Sequence, residues 1–266
     1  MIYRPPRLLI IAGSDSGGGA GIQGDIKTAT AFGAYATTAV TAVTVQNTAG
    51  ISRSFPIPPE IVAEQIRAVM TDIGTDAIKT GMLASAAIVE GVAKALKPYP
   101  GIPMVVDTVI SAKGGQSLLD DAGVDALQQH LFPRTSLITP NIPEAERFTG
   151  LAISTPDDMV RAAEKLRNAG ARAVLLKGGH LPGDIAVDIL VDDSGVHRFS
   201  GPRLHNKSTH GTGCALATAI AAALAQGSSL IPAIERAREF VRRAIESSLP
   251  LGQGIGPINH LDVSRD

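Results

Sequence analysis

Cys214, the only cysteine in the chain, closes the segment Thr209-His210-Gly211-Thr212-Gly213-Cys214, just before an alanine-rich stretch that reads as a helix. Gly211 and Gly213 let the backbone approach a ligand closely, and a helix starting there converges its free N–H groups on one spot. With the positive end of the helix dipole, those donors suit the charge that develops on a transferred phosphoryl group. A thiol at a helix N-terminus is expected to have a lowered pKa, and so to act as a base toward an acceptor hydroxyl. The plainer alternative is a tight turn before a packed helix, with Cys214 as a small core residue.

These groups need a frame, and the hydrophobic pattern predicts one. Mostly continuous apolar runs at 8–12, 37–45, 76–79, 104–107, 137–139 and 173–177 read as strands buried on both faces of a parallel sheet. Helical patterns at 22–32, 59–72, 86–96, 122–130, 156–169, 215–226 and 231–247 fall between or after them. Pro59, Pro143 and Pro156 sit where a first helical turn tolerates proline. Alternating Val187, Ile189 and Val191, with the turn Asp193-Ser194-Gly195, read as an antiparallel hairpin. No repeat, linker or composition shift marks a boundary, so residues 1–266 are expected to form one α/β/α sandwich with a mostly parallel sheet. In such sheets ligands bind beyond the carboxyl ends of the strands. There the chain places Gly13-Ser14-Asp15, Gln46-Asn47-Thr48, Thr80-Gly81-Met82, Asp107-Thr108-Val109, Pro140-Asn141 and Lys177-Gly178-Gly179-His180.

Composition removes several function classes. With 24 basic and 25 acidic residues the net charge is −1, and aromatic residues are 3% with no Trp. That gives neither the basic face nor the stacking platform of a nucleic-acid binder. One cysteine excludes an internal disulfide, and no CxxC or HExxH spacing offers a zinc site. The apolar run 8–12 is shorter than the roughly 7–15 residues of a signal h-region, and 215–225 falls short of the ~20 of a membrane span. A cytoplasmic protein with no membrane partner is expected. Gly19, Gly21 and Gly24 fit GxGxxG, but no Asp or Glu lies between Asp25 and Glu60 to bind a ribose, so a dinucleotide site is not expected. No Gly-Lys pair exists for a Walker A loop, and no serine sits in GxSxG.

The segments AGSDSGGGAGIQGDIKT (12–28), VQNTAG (45–50), KTGML (79–83), VVDTV (105–109), LITPNIPEAE (137–146), LLKGGH (175–180) and NKSTHGTGCA (206–215) together resemble hydroxymethylpyrimidine/phosphomethylpyrimidine kinase, of the ribokinase-like superfamily. The resemblance covers essentially the whole chain, and GIGP (254–257) is similar too. Gly24 and Ala215 depart from it, where alanine and a hydroxyl residue are more usual. It implies a ribokinase-like three-layer α/β/α sandwich, a homodimer, and no fused thiamine-phosphate synthase. It also implies ATP as phosphoryl donor, with hydroxymethylpyrimidine and then its monophosphate as acceptors. Pyridoxine/pyridoxal kinase, with the same fold and GTGC loop, is the alternative, and a non-catalytic nucleotide- or vitamer-binding protein a more remote one.

Residue by residue, the resemblance puts Cys214 at the base position, with Gly211, Thr212 and Gly213 building the anion hole. Asp107 and Glu144 are expected at Mg²⁺, which takes one or two carboxylates plus phosphate oxygens. Asn141-x-x-Glu144 also reads as a helix capping box, and both roles can coexist. Lys177, Asn141 and Thr209 are expected near the nucleotide, although a strand-end lysine can simply be solvated. Gln46, Asp25, Met82, Val109 and Gly13 are expected around the pyrimidine, Gln46 pairing with the aminopyrimidine edge and Met82 and Val109 sandwiching the ring. Ordinary alternatives are a turn residue for Gln46, core packing for Met82 and Val109, and a first-turn acid for Asp25. The glycine-rich stretches 112–116 and 178–183 are candidate lids.

Overall fold

The computed structural model describes residues 4–112, 114–248 and 250–261. Among the described residues nine strands form one sheet in the order β3-β2-β1-β4-β5-β6-β7-β8-β9. Its centre is parallel: β2 (Tyr35–Asn47), β1 (Arg7–Asp15), β4 (Ala77–Thr80), β5 (Met104–Val106), β6 (Leu137–Ile138) and β7 (Val174–Leu176). In β1, Leu9 and Ile11 enter one apolar cluster while Leu8, Ile10 and Ala12 enter another. A strand covered on both faces needs apolar residues at every position, which is why these runs are continuous.

The first cluster is completed by α2 (Pro59–Asp72), α3 (Ala86–Leu96), α4 (Asp121–Ala126), α5 (Ile142–Thr149) and α6 (Pro156–Asn168). The second is completed by α1 (Gly21–Ala31), α7 (Thr212–Ala225) and α8 (Leu230–Glu246). The result is the expected three-layer α/β/α sandwich. Alanine fills half of α7, and Ala215, Ala217, Ala219 and Ala221–Ala223 are all buried, so its small side chains let the helix lie close to the sheet.

Both edges of the sheet are antiparallel, whereas one hairpin was expected. That hairpin, β8 (Ile185–Asp192) and β9 (Gly195–Pro202), joins the sheet through β7. At the other edge β3 (Gly50–Pro56) pairs with β2, an element the apolar pattern did not predict. Its Arg53 and Ser52 are exposed, so an edge strand over solvent carries no apolar signature. The helix expected at 122–130 is α4 only to Ala126, followed by a wider turn over Leu127–Leu131 and a tight one over Phe132–Arg134, where Pro133 prevents continuation. The helix expected from 215 begins at Thr212, which brings Gly213 and Cys214 into its first turn. No helix among the described residues is long and apolar enough to cross a membrane.

Candidate active site

Because β1, β2, β4, β5, β6 and β7 run parallel, their carboxyl ends share one rim. Asp107 leaves β5 there, its N–H donating to Thr80 O at 3.0 Å. Lys177 leaves β7, its N–H donating to Pro140 O at 2.8 Å. The two side chains meet, with Lys177 Nζ 3.1 Å from Asp107 Oδ1, and Thr139 Oγ1 donates to the same oxygen at 3.3 Å. Burial works against the charge on Asp107, but the Lys177 and Lys79 ammoniums prevail and hold its carboxyl below the usual range.

Glu144 lies beside this pair with its charge opposed. It forms a capping box at the start of α5: Asn141 Oδ1 accepts from Glu144 N at 2.9 Å, and Glu144 Oε2 accepts from Asn141 N at 2.9 Å. Thr108 Oγ1 also donates to Glu144 Oε2 at 3.0 Å. Desolvation raises the Glu144 pKa, with Lys177 opposing and Asp107 adding to the rise. Two buried carboxylates sharing one lysine present the hard oxygen donors that magnesium takes.

The GTGC turn faces the same spot. Gly211 is left-handed (φ +87°), and a Cβ there would lie 1.9 Å from Gly19 O, so glycine is required both by conformation and by the close approach of the first loop. A Cβ on Gly213 would lie 3.4 Å from Lys177 Nζ and 3.9 Å from both Asp107 oxygens, which locates the turn directly against the ion pair. No side chain caps α7; Thr212 N donates to Thr209 O at 3.4 Å, and the N–H groups of Gly213 and Cys214 follow it in the first turn. Thr212 Oγ1 donates to Thr209 O at 3.1 Å, so Thr209 closes the turn through its carbonyl.

Cys214 departs from expectation. Partly buried in the first turn of α7, its thiol is pushed up to about 12 by desolvation. The Lys79 ammonium and the Gly21 N–H act in the other direction, while Asp107 and Asp25 add to the rise. The helix end alone does not overcome lost solvent and two nearby carboxylates.

Asp25 is held in a buried ion pair, near enough to Cys214 and Asp107 to act on their charges. It is fully buried, with Oδ2 2.7 Å from Lys79 Nζ and Oδ1 accepting from Thr218 Oγ1 at 2.7 Å. This ion pair ties α1, β4 and α7 together, and its ammonium acts on Cys214 and Asp107 as well. Lys79 was visible in KTGML only as part of a motif; nothing in its neighbours signals a fully buried ammonium.

Of the remaining expected pocket residues, Gly13 in β1 meets Met82, Gln46 lies near the end of β2 and Val109 follows β5. A Cβ on Gly13 would come within 3.3 Å of Met82 Sδ, so these two line the same space. Met82 is half-buried, its carbonyl accepting from Thr41 Oγ1 at 2.6 Å, and Val109 is half-buried after β5. Gln46 at the end of β2 is half-buried, its amide lying between Thr44 Oγ1 at 3.0 Å and His210 Nε2 at 3.3 Å.

Two residues that sequence reasoning passed over hold this part together. Asp15 Oδ1 accepts from Gly17 N at 2.7 Å, while its Oδ2 accepts from Gly19 N and Ala20 N at 3.2 and 2.9 Å. The same Oδ2 lies 2.8 Å from His210 Nε2. Desolvation opposes the Asp15 charge, but His210 and the backbone donors win and lower its pKa. An acid inside a glycine-rich loop is the signal that could have found it: the loop's N–H groups need an acceptor.

Of the candidate lids, the stretch 112–116 includes Lys113, which lies outside the described residues. The stretch 178–183 is laced to the end of β9 by Arg203, which donates to the carbonyls of Gly179 and Gly183 at 2.6 Å each and to that of Leu181.

Comparison with known proteins fits this geometry. Residues 15–259 match the family model described as phosphomethylpyrimidine kinase. The chain is 47% identical over 261 residues to the hydroxymethylpyrimidine/phosphomethylpyrimidine kinase of Bacillus subtilis, covering 98% of this chain and 96% of that one. It is 51% identical over 259 residues to the thiamine biosynthesis bifunctional protein ThiED of Geobacter sulfurreducens, covering 97% of this chain and 53% of that protein. The chain thus spans about half the length of that relative. An ADP complex of Bacillus subtilis pyridoxal kinase superposes with a TM-score of 0.92 at 36% identity, covering 99% of this chain and all of the other. By the extent of the family match and these identities, the chain belongs to the phosphomethylpyrimidine kinase family.

Proposed function

We propose that residues 1–266 act as one catalytic unit that transfers the γ-phosphoryl group of ATP to the hydroxymethyl of 4-amino-5-hydroxymethyl-2-methylpyrimidine and then to the monophosphate so formed. The product is the pyrimidine diphosphate used to make thiamine diphosphate. The observation that carries this reading is the convergence of Asp107, Lys177 and the uncapped GTGC turn on one rim. Phosphoryl transfer requires mainly positioning and neutralisation of charge, which these groups supply. Gly211, Thr212 and Gly213 hold the transferring group with backbone donors. Lys177, with Asn141 beside it across the ends of β6 and β7, and Thr209 through the turn it closes, serve the nucleotide phosphates. Asp107 and Glu144 would hold Mg²⁺, which would neutralise the phosphate oxygens when bound.

Gly13, Gln46, Met82 and Val109 form the pyrimidine pocket. Asp25 supports it from below through Lys79 and Thr218. Cys214 holds the acceptor hydroxyl in line. In a loose transition state the hydroxyl proton leaves late, so a thiol of raised pKa is adequate for that task. The reaction is placed in the cytoplasm, and the chain works as a homodimer. The test is ADP yield with limiting hydroxymethylpyrimidine, excess ATP and Mg²⁺: two ADP per pyrimidine are expected, and none would overturn the reading. The close superposition on a pyridoxal kinase favours pyridoxal as a second acceptor, which the same assay reads as one ADP per pyridoxal.

A further inference from the structure

Asp15, His210, Gln46 and Thr44 form a continuous chain of polar contacts from the first glycine loop to the end of β2. Asp15 Oδ2 lies 2.8 Å from His210 Nε2, and His210 Nε2 lies 3.3 Å from the Gln46 amide. The other end of that amide is 3.0 Å from Thr44 Oγ1, which donates to Ser14 O at 2.9 Å.

Proton bookkeeping fixes how this chain is wired. An ionised carboxylate only accepts, so the 2.8 Å contact requires the His210 proton on Nε2. With Nε2 of Gln46 facing that nitrogen, two donors would oppose each other. At the far end, the single Thr44 hydroxyl proton would have to serve both Ser14 O and the Gln46 oxygen. Turning the amide by half a revolution exchanges two groups of nearly equal size, removes the opposed donors and frees the Thr44 proton for Ser14 O, with the one His210 Nε2 proton then shared between Asp15 and Gln46. His210 Nε2–H then faces the Gln46 oxygen while it donates to Asp15, and Gln46 N–H donates to Thr44 Oγ1. One N–H and one lone pair of Gln46 are left over, a donor and an acceptor in fixed order.

The histidine itself is clamped. His210 N donates to Gly256 O at 3.0 Å, and Ile258 N donates to His210 O at 3.3 Å, so the segment around Pro257 lies alongside it as a strap. A Cβ on Gly19 would lie 2.6 Å from His210 Cδ2, so the first loop closes on the ring's edge.

We infer that His210 is a specificity-positioning residue: its Nε2 proton, held by Asp15, sets the direction of the Gln46 amide and hence which hydrogen-bonding edge of a heteroaromatic ring the pocket accepts. This rests on the proposed reading of Gln46 as the ring-pairing residue. A substrate with an amino donor beside a ring-nitrogen acceptor matches the leftover pair in one orientation only. A site built around such a pair discriminates against rings that leave it unpaired.

Two measurements test this separately from the function. The first is nitrogen NMR of the histidine rings in the full chain without ligand. It should show His210 protonated at Nε2, and should show this less completely in Asp15→Asn, whose amide can donate to the ring instead. A His210 bare at Nε2 in the wild-type protein would overturn the inference whichever substrate the enzyme takes. The second is steady-state kinetics with hydroxymethylpyrimidine and with pyridoxal. His210→Leu should raise the pyrimidine KM about tenfold or more, with kcat and the ATP KM changed less than about threefold. His210→Gln, which can still donate to Asp15, should recover most of the loss. A pyrimidine KM in His210→Leu within about twofold of wild type, or an equal rise in the ATP KM, would refute the positioning role. Should His210→Leu fail to fold, Asp15→Asn carries the kinetic comparison with the same expected direction. A wild-type enzyme that ignores the pyrimidine and accepts pyridoxal would sink the function, while the NMR result would still stand or fall by itself.

Discussion

At the scale of single residues, the rim is governed by lost solvent more than by helix ends. Burial drives Cys214 up to about 12 although it sits in the first turn of α7. The sign of the consequence is plain: at neutral pH the group is a thiol, and its thiolate fraction grows about tenfold for each pH unit without levelling until the pH nears that value. Alkylation by iodoacetamide, followed by mass spectrometry, should therefore keep accelerating through about pH 10. A plateau near pH 8 would show an activated thiol instead. The Lys79–Asp25 pair poses a second residue-scale question, since both side chains have no solvent exposure. Lys79→Met strands a buried carboxylate and should destabilise the fold by about 3–5 kcal/mol in denaturant unfolding. Lys79→Met combined with Asp25→Leu should recover part of that loss, because neither charge remains. Equal losses in the single and double variants would show that the two charges are not coupled.

At the scale of elements, two glycines separate conformation from space. Gly211 and Gly227 have nearly the same φ, +87° and +86°, but a Cβ on Gly211 would meet Gly19 O at 1.9 Å while one on Gly227 meets nothing within 4 Å. Gly227→Ala should cost about 1 kcal/mol of stability and leave turnover intact. Gly211→Ala must push the first glycine loop off the GTGC turn, and should lower kcat by at least about a hundredfold. Parallel melting curves and rate assays check both; similar behaviour of the two variants would dismiss the loop contact as a requirement for catalysis. The loop 178–183 belongs at this scale too. Arg203→Ala removes the guanidinium that ties its carbonyls, so hydrogen exchange across 178–183 should rise while the core strands stay protected.

At the scale of the whole molecule, the 13-residue strand β2 is exposed at alternate positions toward its carboxyl end. Val43 and Val45 are exposed on one face, and Phe55, opposite Val43 on β3, is 63% exposed. Apolar side chains grouped on a sheet edge are the feature expected of a self-association surface. Sedimentation of the wild-type chain should give a dimer and Phe55→Asp a monomer; a monomeric wild type would remove the homodimer from the proposal.

Much of the frame was legible beforehand because it depends on local rules. The helices Pro59–Asp72 and Ala86–Leu96 were read to the residue; Pro59 marks the first start, and the structure shows Ser85 capping the second. Most of the six parallel strands announced themselves as continuous apolar runs, and the glycine and acid residues at their carboxyl ends named the rim. β3, an exposed edge strand, was not read as an element, and of the eight-residue α5 only the start was read, from Pro143 and the Asn141–Glu144 capping box.

The chain by itself thus determined the class of fold, the rim and the chemistry gathered there, because these follow from periodicity, turn residues and motif order along the chain. Only the tertiary structure decided that Asp25 pairs with a buried Lys79, that burial raises the pKa of the Cys214 thiol, and that Asp15 and Gln46 both meet His210. Each of those outcomes depends on which distant side chain arrives within about 3 Å and how much water it displaces, and neither quantity is written in the spacing of residues along one segment.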